Sequence, residues 1–127
     1  MRSSVKALRE QGVWSVEFTE AQYDLLVRSM VTFLAIEKER FARVVTVGPR
    51  AEELDAIISG AERVHGGKAV IRTSLDDIHM IHSMLVFLPT LFTSEEDFVT
   101  RVGFFKENVA EVAAGLKRAI VRTAVDV

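Results

Sequence analysis

Val13-Trp14-Ser15-Val16-Glu17-Phe18, followed at once by Thr19-Glu20-Ala21-Gln22, is the stretch that decides the fold. Trp14, Val16 and Phe18 share one side of an extended chain and Ser15 and Glu17 the other, the two-residue alternation of a half-buried strand. Thr19 and Gln22 then stand three positions apart ahead of an apolar run. That is the spacing of a capping box, in which the hydroxyl accepts the Gln22 amide hydrogen and the Gln22 side chain reaches back to the Thr19 backbone. Phe18 before the cap and Tyr23 after it are spaced for a hydrophobic staple. The chain therefore reads as strand, abrupt cap, helix. Tyr23, Leu26, Val27, Met30, Phe33 and Leu34 form the expected core stripe of that helix, with Asp24, Arg28 and Thr32 opposite.

Beyond this first helix, Arg43-Val44-Val45-Thr46-Val47 fits either a helix or a β-branched strand ending at Gly48-Pro49, and periodicity does not decide between them. A further helix is predicted from Pro49 or Arg50, with Leu54, Ile57, Ile58 and Ala61 at core spacing and His65-Gly66-Gly67 as its stop. The pattern then begins again. Lys68 to Thr73 reads as a second strand, Ser74 as a cap, and Ile78, Ile81, Leu85 and Leu88 as the next stripe. An offset of 55 residues superposes Gly48 on Gly103, Gly60 on Gly115, Arg63 on Arg118, Glu52 on Glu107 and Thr19 on Ser74 without a gap. In the second half, Ser94-Glu95-Glu96-Asp97 caps a short helix closed by Gly103. The last helix turns Val109, Val112, Ala113, Leu116 and Ile120 inward. The fold class expected is mainly α, of the α+β kind. One domain, 1–127, would hold two strand–helix–helix–helix units, 13–67 and 68–122, with two short strands and helices packed on them.

Composition narrows what such a domain can do. The chain has 127 residues, 49% of them hydrophobic, with two prolines, which makes a packed single domain and not a disordered segment. Its 16 Lys+Arg against 18 Asp+Glu leave a net charge of -2, without the basic footprint of a protein that grips nucleic acid or an anionic membrane. Arg40, Arg43 and Arg50 are the most basic stretch, have acids between them, and read as a solvated face. The absence of cysteine removes thiolate chemistry, disulfides and Cys-based metal sites. The longest apolar run, Met80 to Phe92, is shorter than the ~20 residues that cross a bilayer. No continuous apolar run of a secretory signal opens the chain, so a cytoplasmic setting is expected.

Candidate chemistry concentrates in Asp76-Asp77-Ile78-His79-Met80-Ile81-His82-Ser83. Asp76, His79 and His82 are spaced three apart along one helix edge, and neutral imidazoles with a carboxylate suit zinc, nickel or copper. A single helix edge rarely supplies a complete ligand set, so the expected assignment is a partly buried, hydrogen-bonded His82 and a surface His79, with no cofactor. Ser83, His79 and Asp76 do not make a nucleophilic triad, because triad members are held from different elements opposite an oxyanion hole. Gly66-Gly67 lacks the lysine-and-hydroxyl pair of a phosphate loop. Glu52-Glu53 and Glu95-Glu96-Asp97 sit at helix starts, where they favour the macrodipole.

The helix from Ser74 to Leu88 is apolar almost all round, with Met80, Met84 and Phe87 on the side away from the Ile78/Ile81/Leu85 stripe. Such a helix is either covered on both faces or uses its second face for association. The function expected is a non-enzymatic protein–protein interaction module, a small bacterial immunity, inhibitor or adaptor protein. Met80, Met84 and Phe87 would form its interface, with a second copy of the chain and another protein as partners. The stretch Phe98-x-x-Arg101-x-Gly103 resembles small helical bacterial proteins of unassigned function, a likeness that brings no site residue with it. A ligand- or metal-responsive module built on His79 and His82 is the alternative. An enzyme would require polar groups converging from two subunits.

Overall fold

The computed structural model describes residues 4–125 and is about two-thirds helical, with six α-helices and a four-stranded antiparallel sheet. Strands β1 (Lys6–Glu10), β2 (Val13–Phe18), β3 (Glu62–Arg63) and β4 (Ala69–Thr73) lie in the order β1-β2-β4-β3. The sheet thus has twice the strands expected. The N-terminal segment, not assigned from sequence, folds back on β2 through Gln11-Gly12, and both turn residues have positive φ (51° and 81°). That conformation matches the twist of the flanking strands and favours glycine at the second position. Glu62–Arg63 pairs with the other side of β4. Helix α3 (Leu54–Ser59) therefore ends at Gly60 and not at His65-Gly66-Gly67, which forms a short turn between β3 and β4.

The sequence alternation survives intact in β2: Trp14, Val16 and Phe18 are buried, and Ser15 and Glu17 are half-buried on the other face. With Ile71 and Ala69 of β4 and Val5 before β1, they make the inner face, on which the helices pack. On the outer face Lys6, Leu8, Glu10, Ser15, Glu17, Val70 and Arg72 line an open shallow depression. Lys68 and Glu17 pair across it at 3.3 Å, and Arg72 pairs with Glu62.

The capping box forms as read: Gln22 N–H donates to Thr19 Oγ1 (3.2 Å) and Thr19 N–H to Gln22 Oε1 (2.8 Å), starting α1 (Glu20–Ile36). The buried face of α1 is broader than the expected stripe, since Leu25, Ser29 and Thr32 are buried as well. Thr32 is not on a solvent face because its hydroxyl donates to the Arg28 carbonyl (2.8 Å), so it satisfies itself within the helix. The ambiguous Arg43–Val47 stretch is helix α2 (Arg40–Val47), capped by Glu39, whose carboxylate accepts the Ala42 N–H at 2.9 Å. Arg43 is no solvated cation. Its guanidinium donates to the carbonyls of Glu37 and, at 2.8 Å, Leu34, at the end of α1, where that helix has no basic residue of its own.

Helices α4 (Leu75–Phe87), α5 (Glu95–Val102) and α6 (Lys106–Val125) complete the chain, with Ser74 and Ser94 as caps. Elements recur at the 55-residue offset: α1 and α4 start at 20 and 75, and α2 and α5 run over 40–47 and 95–102. Glycines 48 and 103 close the last pair. β2 and β4, neighbours at the centre of the sheet, run antiparallel. Helix α4 packs against α1, α2, α3 and α6 together. This position requires an apolar surface nearly all round, and it decides the fate of the proposed interface. Met80 (2% exposed) and Met84 (0%) lie in the core, and Phe87 is half-buried, edge-on to Phe33 at 6.5 Å. The Met80/Met84/Phe87 face is thus covered by the chain's own helices, a correction that follows from α4 being central.

Candidate functional site

The surface beside α4 carries an open concavity. His82, Leu85 and Val86 of α4, with Pro89 just beyond it, recur at the i, i+3, i+4, i+7 spacing of one helix face. Facing them, α6 presents Lys106, Glu107, Ala110, Ala113, Ala114 and Lys117. The three alanines keep the α6 side low, which leaves an open groove of about 520 Å³ between the two helices. Val86 is 54% exposed on one wall. The rim is mainly cationic. Lys106 Nζ donates to the Phe92 carbonyl (2.7 Å), while Lys117 has no ion-pair partner among the described residues. His82 faces the same groove, and burial, with Lys117 and then His79 behind it, pushes its imidazole below the usual value.

The three candidate ligands divide between two clefts. Asp76 and His79 line a smaller one of about 260 Å³ with Gly48, Pro49, Arg50 and Asp77, whereas His82 lines the α4–α6 groove. Among the described residues no three His, Asp or Glu side chains converge as a metal site. His79 Nε2 and Ser83 Oγ stand 3.4 Å apart, one turn along the exposed surface of α4. That contact is long, and both groups belong to one helix, so it does not assemble a base addressing a nucleophile.

The buried acid in this region is Asp77. It accepts from Arg50 Nη1 (2.6 Å) and from the Thr73 hydroxyl, while its own N–H is capped by Ser74 Oγ at 3.2 Å. Arg50 also donates to Glu53 at 2.5 Å, and this contact raises the guanidinium further above its ordinary value and holds the Glu53 carboxyl below its own. The arrangement pins the Gly48–Pro49 loop to the start of α4. Asp77 was foreshadowed by its place three residues after the Ser74 cap, but nothing in the sequence pairs it with Arg50, 27 positions earlier.

No helix of the described residues is long and apolar enough to cross a membrane. Family models, curated proteins and solved structures give no match to this chain.

Proposed function

We propose that the chain is a non-enzymatic protein–protein interaction module, of the immunity, inhibitor or adaptor kind, and that its binding surface is the α4–α6 groove. The observation that carries this reading is the pairing of an alanine-lined floor with an exposed Val86 and an exposed Lys117 on the rim. A groove between two helices with a low apolar floor suits an amphipathic helix laid along it. The cationic rim favours a partner segment that carries acidic residues beside its apolar stripe. The cytoplasmic setting and the descent of 13–67 and 68–122 from one duplicated unit belong to the same proposal. The recurrence of helix starts and caps at 55 residues supports the duplication.

The test is affinity capture from the native host with two surface variants as controls. Ala110→Asp places a carboxylate on the groove floor and Lys117→Glu reverses the rim; both positions are exposed, so folding should be unaffected. A stoichiometric partner lost in both variants, and retained by Phe41→Asp, an exposed position on α2 outside the groove lining, is the expected result. A partner retained by both groove variants would move the interface elsewhere.

A further inference from the structure

The outer edge of β1 is self-complementary, and we infer that it pairs with β1 of a second copy to give an antiparallel dimer with a continuous eight-stranded sheet. This goes beyond the groove reading and rests on different residues.

The argument begins with the hairpin. Its two-residue loop closes at Glu10↔Val13, and the register continues Arg9↔Trp14, Leu8↔Ser15, Ala7↔Val16, Lys6↔Glu17. In a two-residue hairpin the closing residues exchange both backbone hydrogen bonds, and such pairs alternate along an antiparallel ladder. Glu10, Leu8 and Lys6 therefore spend their backbone groups on β2. Ala7 and Arg9 direct theirs to the outer edge, since among the described residues β1 is the last strand of the sheet. The Ala7 carbonyl agrees with this direction: the Thr123 hydroxyl lies 3.2 Å from it but has a nearer acceptor for its single proton in the Ala119 carbonyl at 2.8 Å, so the two lone pairs of Ala7 stay open to a strand.

Within the span of the strand, an antiparallel copy of β1 joins this edge in registers that set Ala7 or Arg9 against Ala7 or Arg9 of the copy. Centring the twofold on Arg9 opposes two arginines. Centring it on Ala7 sets Lys6 against Leu8. Centring it on Leu8 sets Ala7 against Arg9 twice, which completes four backbone hydrogen bonds, and sets Lys6 against Glu10 twice. Leu8 then meets Leu8 in a pair without direct hydrogen bonds, where side chains approach closest. Lys6, Leu8 and Glu10 share the open outer face, and Leu8 is 56% exposed there in the single chain. Charged side chains on an edge strand, lysine above all, oppose pairing when they meet no partner; the charge order of Lys6-Ala7-Leu8-Arg9-Glu10 makes this edge fit itself because Lys6 and Glu10 each meet the opposite charge on the copy.

Sedimentation equilibrium of the full chain across a range of concentrations tests the proposal. Glu10→Lys opposes lysines twice across the twofold, and Lys6→Glu opposes glutamates; each should weaken dimerisation by about tenfold or more. The double exchange Lys6→Glu/Glu10→Lys restores the opposite-charge pairs and should recover association. Lys6 also stands opposite Glu17 within the monomer, so Glu10→Lys, which faces Val13, keeps the test valid if Lys6→Glu folds poorly. Because the chain lacks cysteine, Leu8→Cys supplies a single thiol, which should cross-link on oxidation faster than Phe41→Cys. A chain that stays monomeric, a dimer indifferent to both single reversals, or a Leu8→Cys thiol no quicker than the control would overturn the proposal.

Discussion

Replacing Met84 by alanine separates a core methionine from an interface methionine. The side chain is fully buried, and truncation removes Cγ, Sδ and Cε from the centre of the helical layer. Deleting a buried methionine side chain costs about 2–5 kcal/mol, the spread reflecting how far the site collapses. With five elements packed on α4, including the turn that follows it, collapse is restricted, and about 3 kcal/mol is the working value. Unfolding entropy of about 2.1 cal/mol/K per residue, taken over 127 residues, converts this into a melting temperature lower by about 11 °C. The assay is thermal denaturation followed by circular dichroism, for the native chain and the variant at two protein concentrations far apart. The drop should be the same at both, because the lost contacts are within one chain. A drop below about 4 °C, or one that disappears on dilution, would refute the core placement and return Met84 to an intermolecular surface.

Two further outcomes follow from the polar residues. Burial holds the His82 imidazole below its usual 6.5 in the folded chain, so the unfolded chain binds the proton more readily. Stability from this group is present above 6.5 and falls as the pH drops through that value, levelling off below the folded-state value. His82→Asn should flatten this part of a urea-unfolding profile measured against pH; a profile with the same slope would remove His82 as its source. Asp77→Ala should destabilise by about 2 kcal/mol, since it strips a buried acceptor from Arg50 and Thr73. Chemical denaturation reads the value, and no loss would show that the network contributes nothing net.

Much of the fold was legible because its signals are local. The Val13–Phe18 alternation, the Thr19/Gln22 box and the Ser74 and Ser94 caps each occupy fewer than ten residues, and each forms in the structure. What was missed depended on distant partners. β1 is a charged, short strand, exposed along most of its length, so its pattern shows no buried face until β2 lies beside it. The interface assignment failed for a related reason: an all-apolar helix looks the same in sequence whether a partner or its own chain surrounds it. On α1, the polar but fully buried Ser29 disguised the breadth of that helix's buried face. The α4–α6 groove was invisible because its floor is made by small residues, and three alanines on a helix announce no site until another helix runs alongside.

Arg43 joins α1 to α2 through acceptors only six and nine positions away. Loops that short add little closure entropy, and the carbonyls it needs exist as free acceptors only once α1 has terminated. The α1–α2 corner is therefore closed by contacts local in sequence, to which α4 adds the packing of the second half. Its two helices are tied to a common fate. Amide hydrogens of α2, a short helix, draw their protection from this side chain's hold on α1 and from the packing of α2 on α4 together.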